Sequence, residues 1–395
     1  MSPNFSAGPH MLGYLHQVRY SLFSLLVDRR GDTQLYVEEL DDVVRRSPDV
    51  QTLEQLKHHT TPNATITEHS KELWKTLRVW FTKFAEGKLK PEESMLCLLT
   101  TAKADSPLEW LRHGSGRDVV RARVRLAEVA AARGNQELKE AYDAFSNTKE
   151  IDQERLLSAV YIVDNAPNIE EVVPKIKQLI NGIRTTNLDA AYQRLEGWWF
   201  GKIVRHLLAD SKDGISQYAL KEQIAEINEL FRPGSLPIDF EDYELTPKEE
   251  AEYPSRVFVQ QLRAVNIAGM RLYNAVVDYY SAFAQRSRWV QETLIIDDDL
   301  LTYEKRLAKE WRRQIGILES KLAQGTEEEQ VRFGNLLLDW MEQTADIPIR
   351  SEMPLGHEYV MRGSFHHLAD DDTAPRVYWH PKFLEQLKAI MTPQS

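Results

Sequence analysis

Two strand-like runs near the start of the chain, joined by a polar turn, place an acidic pair opposite a Gln-x-Lys. The first run, Leu35 to Leu40, ends in Asp41-Asp42, and the second, residues 50–58, carries Gln55 and Lys57. Because the side chains of a strand alternate between its two faces, Gln55 and Lys57 share one face. A hairpin of the two runs therefore brings a carboxylate to an amide and a lysine.

These three residue types are suited to the hydrolysis of a phosphodiester. An acid and an amide carbonyl bind a hard divalent cation, the cation lowers the pKa of a bound water, and a lysine stabilises developing negative charge. The same residue types also occur on ordinary solvated hairpins. The motif alone leaves both interpretations open.

The elements around the motif favour the catalytic interpretation. A helix over residues 13–27 precedes the first strand, a helix over residues 73–80 follows the second, and an apolar strand follows at residues 95–101. The order helix, strand, acid, strand with Gln-x-Lys, helix, strand is that of a restriction-endonuclease-like core. The predicted fold class is an α/β restriction-endonuclease-like core followed by mostly α-helical middle and C-terminal domains.

Several motifs of the chain form a pattern found in one group of proteins. They are Gly-Tyr-x-x-Gln-x-x-Tyr from Gly13, Glu-x-x-Asp-Asp from Glu38, Gln-x-Lys from Gln55 and Leu-Trp-Lys-Thr-Leu from Leu73. The pattern resembles the PD-(D/E)xK nuclease domain of bacterial anti-phage effectors, found in CBASS systems and in Lamassu and related ABC-three-component systems. Further segments resemble the Lamassu-type effector subunit, so that the resemblance covers nearly the whole chain: residues 194–200, 235–240, 278–289 and 378–381.

The resemblance implies a metal site. Asp42, or Asp41, and Gln55 with the Leu56 carbonyl would hold Mg²⁺, with Mn²⁺ as the alternative ion, and Glu39 would be an outer ligand. Gln55 stands where the pattern usually has Asp or Glu, although a neutral Gln is the common form in the Mrr-like branch. Which of the two aspartates faces the metal stays open.

The resemblance also implies the reaction and the partners. Lys57 would position the water or stabilise the transition state, Gln17 from the first helix would complete the shell, and double-stranded DNA would be the substrate. An SMC-like ATPase and a small middle subunit would hold the nuclease inactive, and release with self-association would activate it. The alternative is an adaptor with a degenerate nuclease fold that scaffolds the ATPase complex, against which the intact Asp42, Gln55 and Lys57 argue.

Length and charge predict three regions. The 395 residues are enough for two or three domains, and we expect a nuclease core at 1–112, a helical accessory region at 113–248 and a helical docking domain at 249–395. The net charge is −11 for the chain, −1 for the first region and −6 for the last. Because duplex binding depends on Lys and Arg, a near-neutral core needs help to engage DNA, and an acidic tail suits a protein partner.

Composition also bears on the compartment. No stretch approaches the roughly 20 apolar residues that span a bilayer, and the N-terminus lacks a signal-like segment. We therefore expect a cytoplasmic protein without a membrane partner. Cys97, the single cysteine, lies in an apolar run and is expected to be a buried small hydrophobe.

Four further groups have alternative interpretations. The basic run Arg117, Arg121, Arg123 and Arg125 fits either a phosphate-tracking helix or a solvated face that pairs with acids. A long helix from about Ser255 to Trp289 has an apolar stripe rich in Tyr, Trp and Arg, which fits core packing or docking, and the resemblance favours docking. The pair Trp198-Trp199 predicts a packed helix. Four histidines without metal-ligand spacing predict a surface loop: His357, His366, His367 and His380.

Overall fold

The computed structural model describes residues 8–39, 42–59, 64–180, 187–209, 213–322, 325–371 and 375–383. The chain divides into two compact units, residues 1–182 with 192–227 and residues 183–191 with 228–395. In the ranges given, none of the helices has the length and apolar character of a membrane span.

The first unit is built on a mixed sheet. The described ranges contain the strands β1 Gln34–Glu39, β2 Asp42–Arg46, β3 Gln51–Lys57, β4 Thr65–Ile66, β5 Ser94–Thr100, β6 Lys103–Ala104, β7 Val160–Val163 and β8 Ile215–Ser216. Six of these strands form one sheet in the order β7-β5-β3-β2-β1-β8, and β4 pairs with β6. The helices up to residue 230 are α1 Gly8–Val27, α2 Lys71–Ala85, α3 Val119–Ala132, α4 Lys139–Ser146, α5 Glu150–Ala159, α6 Val172–Leu179, α7 Leu188–Leu208 and α8 Gln217–Leu230.

The pairing of the strands changes from antiparallel to parallel at β3. Strands β1, β2 and β3 form an antiparallel meander, whereas β3, β5 and β7 run parallel to one another. Parallel strands end at the same edge of a sheet. The residues that follow Lys57, Thr100 and Val163 therefore lie at one edge, which we call the carboxyl edge.

One face of this sheet holds the main core of the unit. Val44, Leu53 and Leu96 are fully buried and pack with helices α2 to α5 around Trp74 and Phe145. In a strand the residues two apart share a face, so Gln55 and Lys57 continue the line of Leu53 along the packed face. Glu54 and its β5 neighbour Cys97 lie on the other face.

Three strands of the sheet differ from the sequence prediction. The residues from Asp42 to Arg46, predicted as the end of the first run and the beginning of a polar turn, form the middle strand β2, in which Val43 and Val44 are both fully buried because the strand is covered on its two faces. Strands β7 and β8 lie in the region predicted to be helical and extend the sheet beyond residue 112. The sheet is therefore larger than the sequence predicts.

The second unit is helical. Its helices are α9 Pro247–Glu252, α10 Val257–Ala264, α11 Gly269–Gln291, α12 Asp297–Glu319, α13 Glu327–Gln343 and α14 Glu358–Ala369. The long helix predicted from Ser255 to Trp289 is wrong, because it is broken between α10 and α11. The break has a physical cause in two left-handed residues, Asn266 with φ 62° and Gly269 with φ 60°.

Helices α11 and α14 cross closely in this unit. A Cβ atom at Gly363 would lie 1.9 Å from the Asp278 carbonyl oxygen and 2.5 Å from the Ala282 Cβ.

The prediction that the histidines lie in a surface loop is wrong, because His366 lies inside α14 and is 1% exposed, and His380 is buried as well. His366 packs between the rings of Phe258 and Trp379, and the aromatic surroundings explain its burial.

Candidate functional site

The strand register determines what faces Gln55. Val43 of β2 pairs with Glu54 of β3, and Asp42 pairs with Glu39 across β1 and β2. Antiparallel pairing continues residue by residue, so the next position along β2, residue 42, lies opposite Gln55. The register thus matches position 42 with the strand that carries Gln55 and Lys57.

Part of the predicted acidic group cannot be described further. Asp41 lies outside the described residues, and so do the side chains of Glu39 and Asp42, whose backbones belong to β1 and β2. The structure brings together Gln55, Leu56, Lys57 and the backbone at position 42. Gln55, Leu56 and Lys57 are each half-buried.

The end of β3 is fixed to the residues that follow β5. The Lys57 carbonyl accepts a hydrogen bond from the Thr101 amide at 3.2 Å, and the His59 amide donates to Thr101 Oγ1 at 2.8 Å. A little further on, the Lys103 amide donates to the Ala64 carbonyl at 2.9 Å. These bonds hold the backbone around Lys57 on the carboxyl edge.

Helix α1 reaches the same edge through its buried histidine. His16 Nε2 donates to the Pro167 carbonyl at 3.0 Å, because a carbonyl only accepts. The His16 ring lies 4.7 Å from that of His58, the residue after Lys57. Burial lowers the pKa of His16 to about 4, so the ring is neutral at pH 7. The predicted ligand Gln17 follows His16 directly and is half-buried.

A buried cluster of charges lies on the opposite face of β3. Arg45 Nη2 contacts Glu54 Oε1 at 2.6 Å, and Arg45 Nη1 contacts Asp28 Oδ2 at 2.5 Å. Burial opposes the ionised form of Asp28, yet hydrogen bonds from Arg30 and the charge of Arg45 hold its pKa well below the usual range. The sequence interpretation missed this cluster, because Asp28, Arg45 and Glu54 come from three separate segments of the chain.

The metal site remains a prediction. Within the described ranges, no three or more His, Cys, Asp or Glu side chains are grouped to hold an ion. Gln55 and Leu56 supply neutral oxygens only, so a divalent ion needs a carboxylate from the acidic segment.

Cys97 is buried as predicted, and burial raises the pKa of its thiol to about 12, which excludes a thiolate nucleophile at neutral pH.

The basic run on α3 is mostly neutralised. Arg117 donates to four backbone carbonyls, those of Leu111, Leu157, Ser158 and Val160. Arg123 pairs with Glu150 and Glu154, and Arg125 pairs with Glu68 and Glu128. Arg121 instead stacks on the ring of Trp110. The solvated interpretation with pairing to Glu128 is correct for Arg125, whereas the largely buried Arg123 pairs with other acids and Asp118 caps the helix.

The aromatic residues predicted to dock a partner lie inside the second unit. Tyr279, Trp289 and Trp311 are 6%, 0% and 3% exposed, respectively. Arg286 pairs with Glu304 inside the same unit. Core packing, rather than an exposed docking surface, is therefore the role of these residues. Trp199 is buried in α7 as predicted, and its Nε1 donates to the Val18 carbonyl at 2.9 Å.

A family model matches the second unit. Residues 258–387 match the C-terminal domain 7 of the ABC-three component (ABC-3C) systems. The C-terminal part is thus similar to a domain of these multi-subunit systems. The match begins at Phe258 in α10 and covers about a third of the chain.

Solved structures of one receptor are similar to this chain over most of its length. The Acinetobacter baumannii Cap4 SAVED/CARF-domain containing receptor with the cyclic trinucleotide 3′3′3′-cAAA has 14% identity and a TM-score of 0.34, with 69% of each chain covered. The receptor with 2′3′3′-cAAA has 16% identity and a TM-score of 0.33, covering 69% of this chain and 66% of that one. A third structure of the receptor has 15% identity and a TM-score of 0.33, covering 69% and 68%. No curated protein gives a sequence match to the chain.

Proposed function

We propose that the chain is a metal-dependent DNA endonuclease and the effector subunit of an ABC-three-component anti-phage defence system. One observation carries the chemistry: the pairing of Val43 with Glu54, extended by one residue, puts position 42 opposite Gln55, and Lys57 follows on the same face of the strand. The order helix, three-stranded meander, helix and parallel strand is that of a restriction-endonuclease-like core. The domain 7 match over residues 258–387 supports the defence context.

The donor atoms suit a hard divalent cation. The Asp42 carboxylate, the Gln55 amide oxygen and the Leu56 carbonyl would hold Mg²⁺ or Mn²⁺, with Asp41 as the alternative carboxylate and Glu39 as an outer ligand. When bound, the ion supplies a water of lowered pKa for attack on phosphorus. A set with a single inner carboxylate implies modest metal affinity, because affinity rises with ligand charge.

The chain's own residues orient the reaction. Lys57 would place its ammonium beside the scissile phosphate and stabilise the charge that develops on the phosphoryl oxygens. Its backbone is fixed by the Thr101 amide, so the lysine projects from a rigid strand end. Gln17 would reach the site from α1, where His16 anchors the helix to the Pro167 carbonyl.

The partner subunits would restrain the nuclease activity. An SMC-like ATPase and a small middle subunit would hold the nuclease through its C-terminal unit, and release would allow copies to associate. One site breaks one strand at a time, so a duplex break calls for two sites related by symmetry. Double-stranded DNA is the proposed substrate.

The test is plasmid nicking by the purified full-length chain with and without Mg²⁺. We expect Lys57→Ala to lower the rate at least ~100-fold, because it removes charge stabilisation from the transition state, and Asp42→Asn to act through loss of the metal. Lys75→Ala, which alters an exposed lysine of α2, is the matched control and should leave the rate unchanged. Cleavage by Lys57→Ala at the normal rate would show the site assignment to be wrong. A wild-type chain that assembles with its partners yet never cuts would favour the adaptor.

A further inference from the structure

We propose that Arg121, stacked on Trp110, contacts a backbone phosphate of duplex DNA bound by the first unit; this inference rests on the proposed function. The sequence leaves a phosphate-binding interpretation open for the basic run Arg117 to Arg125. In the structure its four arginines have different partners. Three of them are engaged by carbonyls or carboxylates of the first unit. Arg121 is different.

The Arg121 guanidinium is exposed and oriented. Its Cζ lies 4.0 Å from the centre of the Trp110 ring, and it forms no ion pair with any residue that the structure describes. A guanidinium stacked on an indole keeps its N–H edge directed outward and loses little freedom on binding. Such an edge matches two oxygens of a phosphate.

The backbone at both stacked residues is also fixed. The Asp118 amide donates to the Trp110 carbonyl at 2.9 Å, and Asp118 Oδ1 accepts from the Arg121 amide at 2.9 Å as the cap of α3. The Asp118 carboxylate is therefore occupied with the helix start. The stacked pair is a preformed element and needs no reordering to meet a ligand.

The segment between Trp110 and Arg121 is tied to β7, the outer strand of the sheet and the second strand from β3. Arg112, two residues after Trp110, donates to Asp164 at 2.6 Å, and Asp164 directly follows β7. The same guanidinium donates to the Ala104 carbonyl at the end of β6. One turn along α3, Arg125 contacts Glu68, which precedes α2. Arg117 in turn donates to the Val160 carbonyl at the start of β7, so the segment that leads into α3 is tied to both ends of that strand.

Charge complementarity identifies the occupant as a nucleic-acid backbone. Residues 1–112 carry a net charge of −1, so a nuclease core of this kind has little electrostatic attraction to DNA. An exposed guanidinium without an ion pair therefore adds to that attraction. Contacts to phosphate position a duplex without reading its sequence, so Arg121 would add affinity and not specificity.

The experiment measures duplex binding in the full-length Lys57→Ala chain, which prevents cleavage, by fluorescence anisotropy with Mg²⁺ between about 50 and 200 mM salt. We expect Arg121→Gln to weaken binding roughly 3- to 10-fold and to reduce the salt slope by about 1. Arg133→Gln is the matched control, because it removes the same charge from the end of α3 where Arg133 pairs with Asp143. Arg121→Lys should keep the slope, and Trp110→Leu should give an intermediate loss of affinity.

The outcomes separate the two proposals. If Arg121→Gln and Arg133→Gln bind DNA alike while Lys57→Ala still abolishes cleavage, the phosphate contact is wrong and the nuclease function stands. If Arg121→Gln binds DNA normally but no longer co-purifies with partner subunits, the residue contacts protein and the inference fails. If the parent chain neither binds nor cuts duplex DNA, both proposals fall.

Discussion

Arg45 and Glu54 form a buried ion pair, 2.6 Å between Nη2 and Oε1, directly behind the strand that carries Gln55 and Lys57. The same guanidinium contacts Asp28, which follows α1, at 2.5 Å. One side chain therefore joins the end of α1 to β2 and β3. Because β2 and β3 set the register at position 42, this cluster supports the geometry of the candidate site.

We expect Arg45→Leu to destabilise the first unit by roughly 3–5 kcal/mol, because it leaves the buried Glu54 carboxylate without its cation and Asp28 with Arg30 alone. Urea unfolding, followed by the fluorescence of the buried tryptophans, measures the loss. Arg78→Leu is the control, since Arg78 and Glu140 form an exposed pair worth at most about 1 kcal/mol. Equal midpoints for the two variants would contradict a structural role for the buried cluster.

A second prediction concerns the neutral residue of the metal site. Gln55→Glu adds a carboxylate, and affinity for a hard cation rises with ligand charge. We expect the Mg²⁺ concentration for half-maximal nicking to fall about 3- to 10-fold. The variant Glu54→Gln would not test the proposed ligand set, because the Glu54 side chain lies on the opposite face of β3. An unchanged or higher Mg²⁺ requirement for Gln55→Glu would remove residue 55 from the ligand set.

The crossing of α11 and α14 gives a third prediction. A methyl group at Gly363 would meet the Asp278 carbonyl oxygen at 1.9 Å, so Gly363→Ala must push the helices apart. We expect a loss of about 3 kcal/mol in the second unit. Gly316→Ala in α12 has open space around it and should gain up to about 1 kcal/mol from helix propensity. Thermal melting compares the two, and similar melting temperatures would disprove the close contact.

A fourth prediction concerns acid sensitivity. Burial lowers the pKa of His366 from 6.5 to about 3. Below pH 6.5 the unfolded chain takes up a proton that the folded chain does not, so stability falls as the pH drops, by about 1.4 kcal/mol per pH unit for this site, until about pH 3. Neither ring nitrogen has a hydrogen-bond partner among the described residues. His366→Met should therefore keep stability at pH 7.5.

The measurement is the melting temperature of wild type and His366→Met at pH 7.5 and pH 5. The difference between the two pH values should shrink in the variant, although His367, whose pKa burial also lowers to about 3, keeps part of it. His357→Met serves as the control, because His357 is only half-buried at the start of α14. An identical pH dependence in all three chains would show that His366 titrates normally.

The part of the fold that the sequence predicts is the part with local signals. Strand β3 lies within the strand-like run predicted at residues 50–58, and α2 has a continuous apolar face. Strand β2 could not be predicted, because its Arg45 is polar in sequence and is accommodated by Glu54 of the next strand and by Asp28, seventeen residues earlier. The break between α10 and α11 depends on the left-handed Asn266, a residue type that also occurs inside helices.

The candidate site likewise has a part that the sequence predicts and a part that it does not. Gln55 and Lys57 are two apart in one strand, so sequence alone places them together. The three arginines of the basic run that lie in α3 look alike in sequence, and only distant partners distinguish them: Arg123 contacts Glu154 and Arg125 contacts Glu68, while Arg121 stacks on Trp110. The burial of His366 could not be predicted from the sequence either, because it depends on Phe258 and Trp379 from elsewhere in the chain.

Gln55 and Lys57 share a face with Leu53, which is fully buried against Leu96 and the helices. A slip of β3 by one residue would turn Gln55 and Lys57 away and at the same moment drive Glu54 into the apolar core. A copy with a misplaced candidate site is therefore also a copy that unfolds easily and is open to proteolysis. If the chain is the proposed nuclease, an error in the folding of β3 then leads to removal of the molecule and not to cleavage with altered geometry.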